Sequence, residues 1–212
     1  MNRIAFSLLL ITDGWDAQTG SRVAQALAAL PTGAAAVQLR AKALSGRALA
    51  EAAGELCRVT QACGAPLLVN DRADVALLSG AAGVHLPARG LPSKAARRLV
   101  GPERLIGAST HSLAEAEMAV AGGADYVTFG PVWATPSKAP FGPPLGMEAL
   151  ARAVASLPVP VFALGGVDAA RAVECRSVGA KVACIGAVLG AKDPAHGPAE
   201  GARLLAAALG LS

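Results

Sequence analysis

An eightfold alternation of short apolar runs with longer Ala-rich amphipathic segments constrains the fold more than any other feature of the chain. We predict strands at residues 6–11, 35–39, 66–69, 83–85, 105–108, 125–129, 161–164 and 182–185. We predict helices at residues 21–30, 45–62, 72–78, 93–100, 112–121, 147–156, 169–178 and 198–209. Near-continuous apolar strands are typical of a parallel sheet buried on both faces. The pattern therefore predicts an α/β fold, a single-domain (β/α)8 TIM barrel over residues 1–212, with a doubly wound open sheet as the alternative.

Helix-start signals agree with this frame. Ser112 and Glu115 have the spacing of a capping box, and Ser45 and Asp168 are suited to cap the helices that follow them. The Pro- and Gly-rich stretch 136–146 is the longest irregular segment. Because it lies within the strand–helix pattern, we interpret it as a functional or mobile loop and not as a domain boundary.

Composition limits the function classes. The 212 residues are 53% hydrophobic but only 3% aromatic, so the core must consist of Ala, Leu and Val. A net charge of +4 suits an anionic small ligand, and basic and aromatic residues are not interleaved as nucleic-acid binding would favour. The apolar run 4–11 is too short to span a bilayer.

The four cysteines are Cys57, Cys63, Cys175 and Cys184. None forms a C-x-x-C pair or has zinc-site spacing with histidine. We expect buried or half-buried free thiols, which fits a reducing cytoplasm.

In a TIM barrel the active site lies at the carboxyl ends of the strands. The residues at or just after the ends of the predicted strands are Thr12, Asp13, Gln38, Arg40, Lys42, Asn70, Asp71, His85, Arg89, Ser109, Thr110, His111, Thr135, Ser137, Lys138, Gly165, Gly166, Ile185 and Gly186. This set is rich in groups that bind phosphate.

Two segments carry cations or hydroxyls suited to an anion. Strand alternation places Gln38, Arg40 and Lys42 on one side, where an Arg fork and a Lys point charge suit a diphosphate. A salt-bridge cluster at the barrel rim is the alternative. The loop after the sixth predicted strand brings together two hydroxyls and an ammonium, in Thr135, Ser137 and Lys138. An ordinary surface loop is the alternative there.

Glycines end the last two strands. Gly165, Gly166 and Gly186 lie where a barrel often holds a phosphate on backbone N–H groups, and glycine permits close approach.

Asn70 and Asp71 are candidates for holding Mg²⁺ beside a diphosphate, since that ion takes one or two carboxylates plus phosphate oxygens. Alternatively, Asp71 pairs with Arg72 or caps the next helix. His111 is an acid–base candidate, or it simply makes a backbone hydrogen bond. We expect His85, within an apolar strand, to be structural.

Seven segments resemble motifs of the thiamin-phosphate synthase/TenI family. They occur in the family's order and extend along nearly the whole chain. They are residues 10–13, 37–42, 68–77, 83–86, 106–112, 124–132 and 163–167. The family has a (β/α)8 barrel, so the resemblance implies the fold that the alternation predicts.

The resemblance also implies a reaction. Synthases of this family join hydroxymethylpyrimidine diphosphate to thiazole phosphate and release pyrophosphate. The diphosphate leaves first, and the thiazole nitrogen attacks the resulting cation. This reaction requires stabilisation of departing negative charge and exclusion of water.

By similarity, each group of site residues acquires an implied role. Gln38, Arg40, Lys42 and Asn70 are implied to bind the pyrimidine diphosphate, and Asp71 to bind Mg²⁺. Diphosphate and thiazole-side contacts are implied for Ser109, Thr135, Ser137 and Lys138. A backbone cradle for the thiazole phosphate is implied for Gly166, Ile185 and Gly186. The implied catalytic groups are Lys138, Ser109 and Arg40.

Three departures from the family patterns stand out. Synthases follow Val-His-Leu with Gly-Gln-x-Asp, whose Asp is a second Mg²⁺ ligand, but this chain has Pro-Ala-Arg-Gly at 87–90, so the site is weakened at Gly90. That stretch resembles the TenI branch, which isomerises a thiazole carboxylate phosphate, yet the histidine of that branch is Pro131 here. Gly186 stands where synthases often have Ser.

We therefore expect a thiamin-phosphate synthase-like transferase. A TenI-like tautomerase and a non-catalytic binder of thiazole phosphate or thiamin phosphate are the alternatives. The expected cofactor is Mg²⁺ at a weakened site, and the expected partners are small phosphorylated molecules, with no nucleic acid and no membrane. We expect a cytoplasmic protein and consider a homodimer as its assembly.

Overall fold

The structure is a computed structural model that describes residues 3–135, 143–189 and 197–211. Its strands are β1 Leu8–Ile11, β2 Ala35–Leu39, β3 Leu67–Asn70, β4 Gly83–Leu86, β5 Leu105–Thr110, β6 Tyr126–Phe129, β7 Val161–Ala163 and β8 Lys181–Cys184. Each strand pairs in parallel with its neighbours in the sequence, and β8 pairs with β1. The sheet is therefore a closed (β/α)8 barrel, which confirms the predicted fold and rules out the open sheet.

One helix follows each strand. They are α1 Thr19–Ala28, α2 Gly46–Ala62, α3 Ala73–Leu78, α4 Ser93–Val100, α5 Leu113–Ala121, α6 Gly146–Ser156, α7 Ala169–Ser177 and α8 Pro198–Leu209. All the predicted strands and helices are confirmed, with ends that differ by at most two residues. The predicted first strand began at Phe6, but pairing with β2 begins at Leu8.

The predicted helix caps are confirmed. Ser45 accepts a hydrogen bond from the Ala48 N–H, and Asp168 accepts one from the Arg171 N–H. Ser112 accepts from the Glu115 N–H at 3.2 Å, while the Glu115 carboxylate accepts from the His111 N–H at 2.7 Å. This reciprocal pair fixes the exit from β5.

Two apolar layers hold the barrel together. The larger lies between the sheet and the helices and consists mainly of Ala, Leu and Val, as predicted. The smaller fills the inside of the barrel with Ile4, Phe6, Leu9, Ile11, Ala36, Leu68, Tyr126, Phe162 and Ala183. Three of these residues are aromatic, and the Tyr126 ring lies 5.9 Å from Phe6 and 5.2 Å from Phe162. Because this apolar plug fills the interior below, inward side chains near the carboxyl ends of the strands lie at the mouth of the barrel.

All four cysteines are free thiols, as predicted, and Cys63 alone is half-buried rather than buried. Burial raises the pKa of Cys175 and of Cys184 to about 12, so neither is a reactive thiolate near neutral pH. Of the described helices, none combines the length and the apolar character needed to cross a bilayer.

Candidate functional site

Polar side chains from four adjacent strands form two hydrogen-bonded pairs at the barrel mouth. Gln38 on β2 donates through Nε2 to Asn70 Oδ1 on β3 at 3.0 Å. His85 on β4 contacts Ser109 on β5, with 2.9 Å between Nε2 and Oγ. Asn70 and His85 are register partners, so the two pairs are neighbours. The structure thus brings together the predicted residues Gln38, Asn70 and Ser109.

Two buried polar atoms in the barrel have no partner among the described residues. Gln38 is 2% exposed and Thr128 is 1% exposed, yet Gln38 Oε1 and Thr128 Oγ1 make no hydrogen bond there. Thr128 pairs in register with Ser109 and follows the inward-facing Tyr126 by two residues. Buried polar groups are nearly always satisfied, so these atoms suit contacts to a bound polar ligand. Sequence analysis missed Thr128, although strand periodicity contained the signal.

Arg40 is held beside the end of β1. Thr12 Oγ1 accepts from the Arg40 N–H at 2.9 Å, and the Arg40 carbonyl accepts from the Gly14 N–H at 3.0 Å. An Arg40 Nη1 lies 3.9 Å from Asp13 Oδ1, too long for a tight pair. Because β2 ends at Leu39, strand alternation does not extend to Lys42, which is exposed in the following turn.

Asp71 has an unusual backbone and an unengaged carboxylate. Its φ is +67°, the only positive value among the described non-glycine residues. Its N–H donates to the His85 carbonyl at 2.8 Å. The neighbouring Arg72 binds Asp74 through two hydrogen bonds, so Asp71 neither hydrogen-bonds to Arg72 nor caps the helix. Within the described ranges, the Asp71 carboxylate makes no hydrogen bond, which leaves it available to a cation.

Position 90 lies directly beside that carboxylate. A Cβ added at Gly90 would lie 2.9 Å from Asp71 Oδ1, and 2.8 Å from both Cγ and Cδ of Pro87. A side chain at residue 90 would therefore face Asp71, but the Pro87 ring occupies part of its space. Arg89, which lies between Pro87 and Gly90 in the sequence, is exposed.

The donor set permits one kind of magnesium site. No group of three His, Cys, Asp or Glu side chains that could enclose a metal occurs in the part of the chain that the structure describes. Asp71 supplies one carboxylate, and Mg²⁺ in proteins is often held by one or two carboxylates together with substrate phosphates. The residues present therefore fit Mg²⁺ only when a phosphate-bearing ligand shares it.

Two glycines after β7 and β8 have backbone N–H groups that make no hydrogen bond to a described residue. Gly165 and Gly166 both have positive φ, and neither Gly166 nor Gly186 donates its N–H to a described residue. The Gly166 carbonyl accepts from Arg171 Nη1 at 2.6 Å, and that guanidinium lies 5.3 Å from the centre of the Trp133 ring. Gly186 is exposed, with no atom within 4 Å of a Cβ placed on it. Ile185, just before it, packs against the barrel interior.

The two described histidines differ in their surroundings. His111 is exposed, and its Nδ1 hydrogen-bonds to the Gly130 carbonyl, as the backbone alternative predicted. His85 is buried between Tyr126 and Ser109, and burial lowers its pKa to about 3. Burial and the nearby Asp125 charge raise the pKa of Tyr126. Both groups are therefore neutral near pH 7.

Only part of the sixth loop is described. Thr135 is half-buried, whereas the predicted contacts Ser137 and Lys138 lie outside the described residues, as does most of the predicted 136–146 loop.

Comparison with known proteins identifies the relatives of this chain. A family model described as thiamine monophosphate synthase matches residues 8–188. A putative thiamine-phosphate synthase of Geobacter sulfurreducens is 47% identical over 195 residues, which cover 92% of each chain. Thiamine-phosphate synthase of Anaeromyxobacter dehalogenans is 48% identical over 87% of this chain and 82% of its own. The solved thiamine phosphate pyrophosphorylase of Pyrococcus furiosus superposes with a TM-score of 0.83 at 33% identity, covering 98% of this chain and 97% of its own.

Proposed function

We infer that this chain makes thiamin phosphate, because it belongs to the thiamine monophosphate synthase family. It joins hydroxymethylpyrimidine diphosphate to thiazole phosphate and releases pyrophosphate. The observation that carries this proposal is the set of paired polar side chains at the mouth, from Gln38 to Ser109, which in a relative of named synthases lies where barrel enzymes bind substrate.

The pyrimidine diphosphate binds along β2 to β5 in this proposal. The guanidinium of Arg40 and the ammonium of Lys42 attract its charge, and Ser109 supplies a hydroxyl. Gln38 Oε1, which is buried and unpaired among the described residues, accepts from a donor on the substrate. Asn70 contributes its amide nitrogen, because its oxygen already accepts from Gln38.

Asp71 would hold Mg²⁺ together with the substrate phosphates. Such an ion would supply positive charge beside the departing diphosphate. The free Asp71 carboxylate and its left-handed backbone support this assignment, since strained backbone tends to occur at functional sites.

The thiazole phosphate binds at the other side of the mouth. The N–H groups of Gly166 and Gly186 form the cradle, with Ile185 packing beside it, and Thr135 and Ser137 contribute hydroxyls. The free N–H groups and the space around Gly186 support this placement.

The chemistry requires that negative charge be stabilised as the carbon–oxygen bond to the diphosphate breaks. Arg40, Ser109 and Lys138 are the catalytic groups proposed for this charge. Pyrophosphate leaves with the electron pair of the broken bond, and the thiazole nitrogen then forms the new bond to the pyrimidine methylene carbon.

A TenI-like tautomerase is the second candidate, favoured by the Pro-Ala-Arg-Gly sequence at 87–90. The bonding of His111 Nδ1 to a backbone carbonyl does not favour it as a proton carrier, since that ring nitrogen is already engaged.

Three further properties belong to the proposal. We place the enzyme in the cytoplasm, where its free thiols stay reduced. Phosphorylated small molecules are its ligands. It is a homodimer, and sedimentation equilibrium at several concentrations tests that assembly, a monomer at all of them being the contrary result.

The test is an assay of the purified protein with hydroxymethylpyrimidine diphosphate, thiazole phosphate and Mg²⁺, with thiamin phosphate followed by mass. We expect turnover in the native chain and a loss of about 100-fold in Ser109→Ala, as for loss of one transition-state contact. Ser21→Ala, on the exposed face of α1, is the matched control and should keep full activity. Absence of thiamin phosphate, with thiazole phosphate still bound, would reject the synthase in favour of the tautomerase or a binding protein.

A further inference from the structure

A buried chain of hydrogen bonds links the barrel core to the barrel mouth. Tyr126 Oη lies 2.9 Å from His85 Nδ1, and His85 Nε2 lies 2.9 Å from Ser109 Oγ. Tyr126 is 0% exposed and His85 is 2% exposed, whereas Ser109 is half-buried at the mouth. The chain therefore ends at a hydroxyl that a ligand can reach.

Gly107 is required by this arrangement. A Cβ at residue 107 would lie 2.3 Å from Tyr126 Oη and 2.5 Å from His85 Nδ1. Any side chain there would separate the two atoms. The Tyr126 ring is also held between Phe6 and Phe162 in the barrel plug. The position of the tyrosine hydroxyl is thus determined by packing on two sides.

The direction of the hydrogen bonds follows from the number of protons. Among the described residues, His85 Nδ1 is the only hydrogen-bond partner of Tyr126 Oη. If Nδ1 carried the imidazole proton, it would donate to Oη and the buried hydroxyl proton would have no acceptor. A neutral imidazole has one N–H and one acceptor nitrogen. Tyr126 therefore donates to Nδ1, and the remaining imidazole proton is on Nε2, which donates to Ser109 Oγ.

We propose that Tyr126 and His85 are positioning residues that make the Ser109 hydroxyl a hydrogen-bond donor toward the diphosphate of the substrate. Because Ser109 Oγ already accepts from His85, its own proton is directed to the barrel mouth. With the opposite polarity, Ser109 would donate inward and present lone pairs to an anion, which would repel it. This inference rests on the proposed function for its ligand, but the polarity of the chain can be measured without it.

The first test is the tautomer of His85 by ¹⁵N NMR of the imidazole ring. The chain has three histidines, so His111→Gln/His196→Gln leaves the signals of His85 alone. We expect a protonated Nε2 and an unprotonated Nδ1 in this variant, and a change toward the other tautomer when Tyr126→Phe is added. A protonated Nδ1 in the presence of Tyr126 would overturn the proposal.

The second test is a double-mutant cycle between Tyr126→Phe and Ser109→Ala in the synthase assay. Phe keeps the ring and its packing but cannot donate. We expect Tyr126→Phe to lower kcat at least about 10-fold, and to have no further effect in the Ser109→Ala background, because residues of one network are not additive. Equal losses in both backgrounds would mean a structural role only and would overturn the proposal.

Phe6→Leu is the matched control, since it loosens the same aromatic cluster without touching the hydrogen-bond chain. It should lower the melting temperature and leave the His85 tautomer unchanged. A tautomer change in this control would assign the effect to packing and overturn the proposal.

Failure of the proposed function is distinguishable from failure of this inference. If the native chain makes no thiamin phosphate, the cycle is repeated on the affinity for inorganic pyrophosphate with Mg²⁺, measured calorimetrically. Equal, non-additive weakening by the two substitutions would support the donor role of Ser109, and unchanged affinity in both would overturn it.

Discussion

Asp71 combines strain with an unengaged carboxylate. A left-handed conformation costs a residue with a Cβ about 1–2 kcal/mol, and glycine avoids that cost. The Asp71 side chain makes no hydrogen bond to a described residue that would offset this cost. The proposed Mg²⁺ role of Asp71 would account for this strain, since function can maintain strain that stability would remove.

Replacing Asp71 tests this explanation. We expect Asp71→Gly to be about 1 kcal/mol more stable to urea than Asp71→Ala, because only the alanine keeps the Cβ clash. Both variants should lose Mg²⁺-dependent turnover. Glu51, exposed on α2, is the control position, where glycine should be the less stable choice. Equal stability of the two Asp71 variants would contradict the strain argument.

At the scale of elements, the turn from β4 to α4 couples two positions. The Pro87 ring lies 2.8 Å from the place of a Cβ on Gly90, and that Cβ would face Asp71. The synthase pattern that this chain resembles has glycine at the position of Pro87 and aspartate at that of Gly90. The two departures are therefore linked by packing, because the Pro87 ring occupies space that a side chain at residue 90 would need.

A second carboxylate should need both changes. We expect Gly90→Asp alone to cost about 1–3 kcal/mol of stability through overpacking and to gain little Mg²⁺ affinity. Pro87→Gly/Gly90→Asp should bind Mg²⁺ more tightly in the presence of pyrophosphate, as measured by calorimetry. Pro87→Gly alone is the control for loop flexibility. A full gain from Gly90→Asp alone would show that the Pro87 ring does not restrict position 90.

At the scale of the whole molecule, a neutral histidine inside the barrel makes stability depend on pH. Burial lowers the pKa of His85 to about 3 in the folded protein, below the unfolded value of about 6.5. The unfolded chain therefore binds a proton first as the pH falls. The contribution is fully present above about pH 6.5 and is lost progressively below it.

Urea unfolding between about pH 6.5 and 5.5 should show the effect, before most carboxylates titrate. We expect the free energy of unfolding to fall by up to about 1.4 kcal/mol per pH unit from this one group. The slope should persist in His111→Gln, whose ring is exposed, and disappear in His85→Asn. An unchanged slope in His85→Asn would assign the acid sensitivity to other groups.

The eight strand–helix units could be predicted from the sequence, because hydrophobic periodicity is a local property of a segment. The same holds for the caps at Ser45, Ser112 and Asp168, whose partners are three residues away. Gln38, Asn70 and Ser109 could be named as candidates for the same reason, since each lies at or near the end of a predicted strand.

Only the tertiary structure decided which of these residues meet. Gln38 contacts Asn70, and His85 contacts both Tyr126 and Ser109, across separations of 24 to 41 residues that only barrel closure and register bring together. The position of Gly90 beside Asp71 depends likewise on a turn packing against a neighbouring strand. Sequence periodicity places a side chain on a face, but its distance from a partner on another strand depends on how the strands pair.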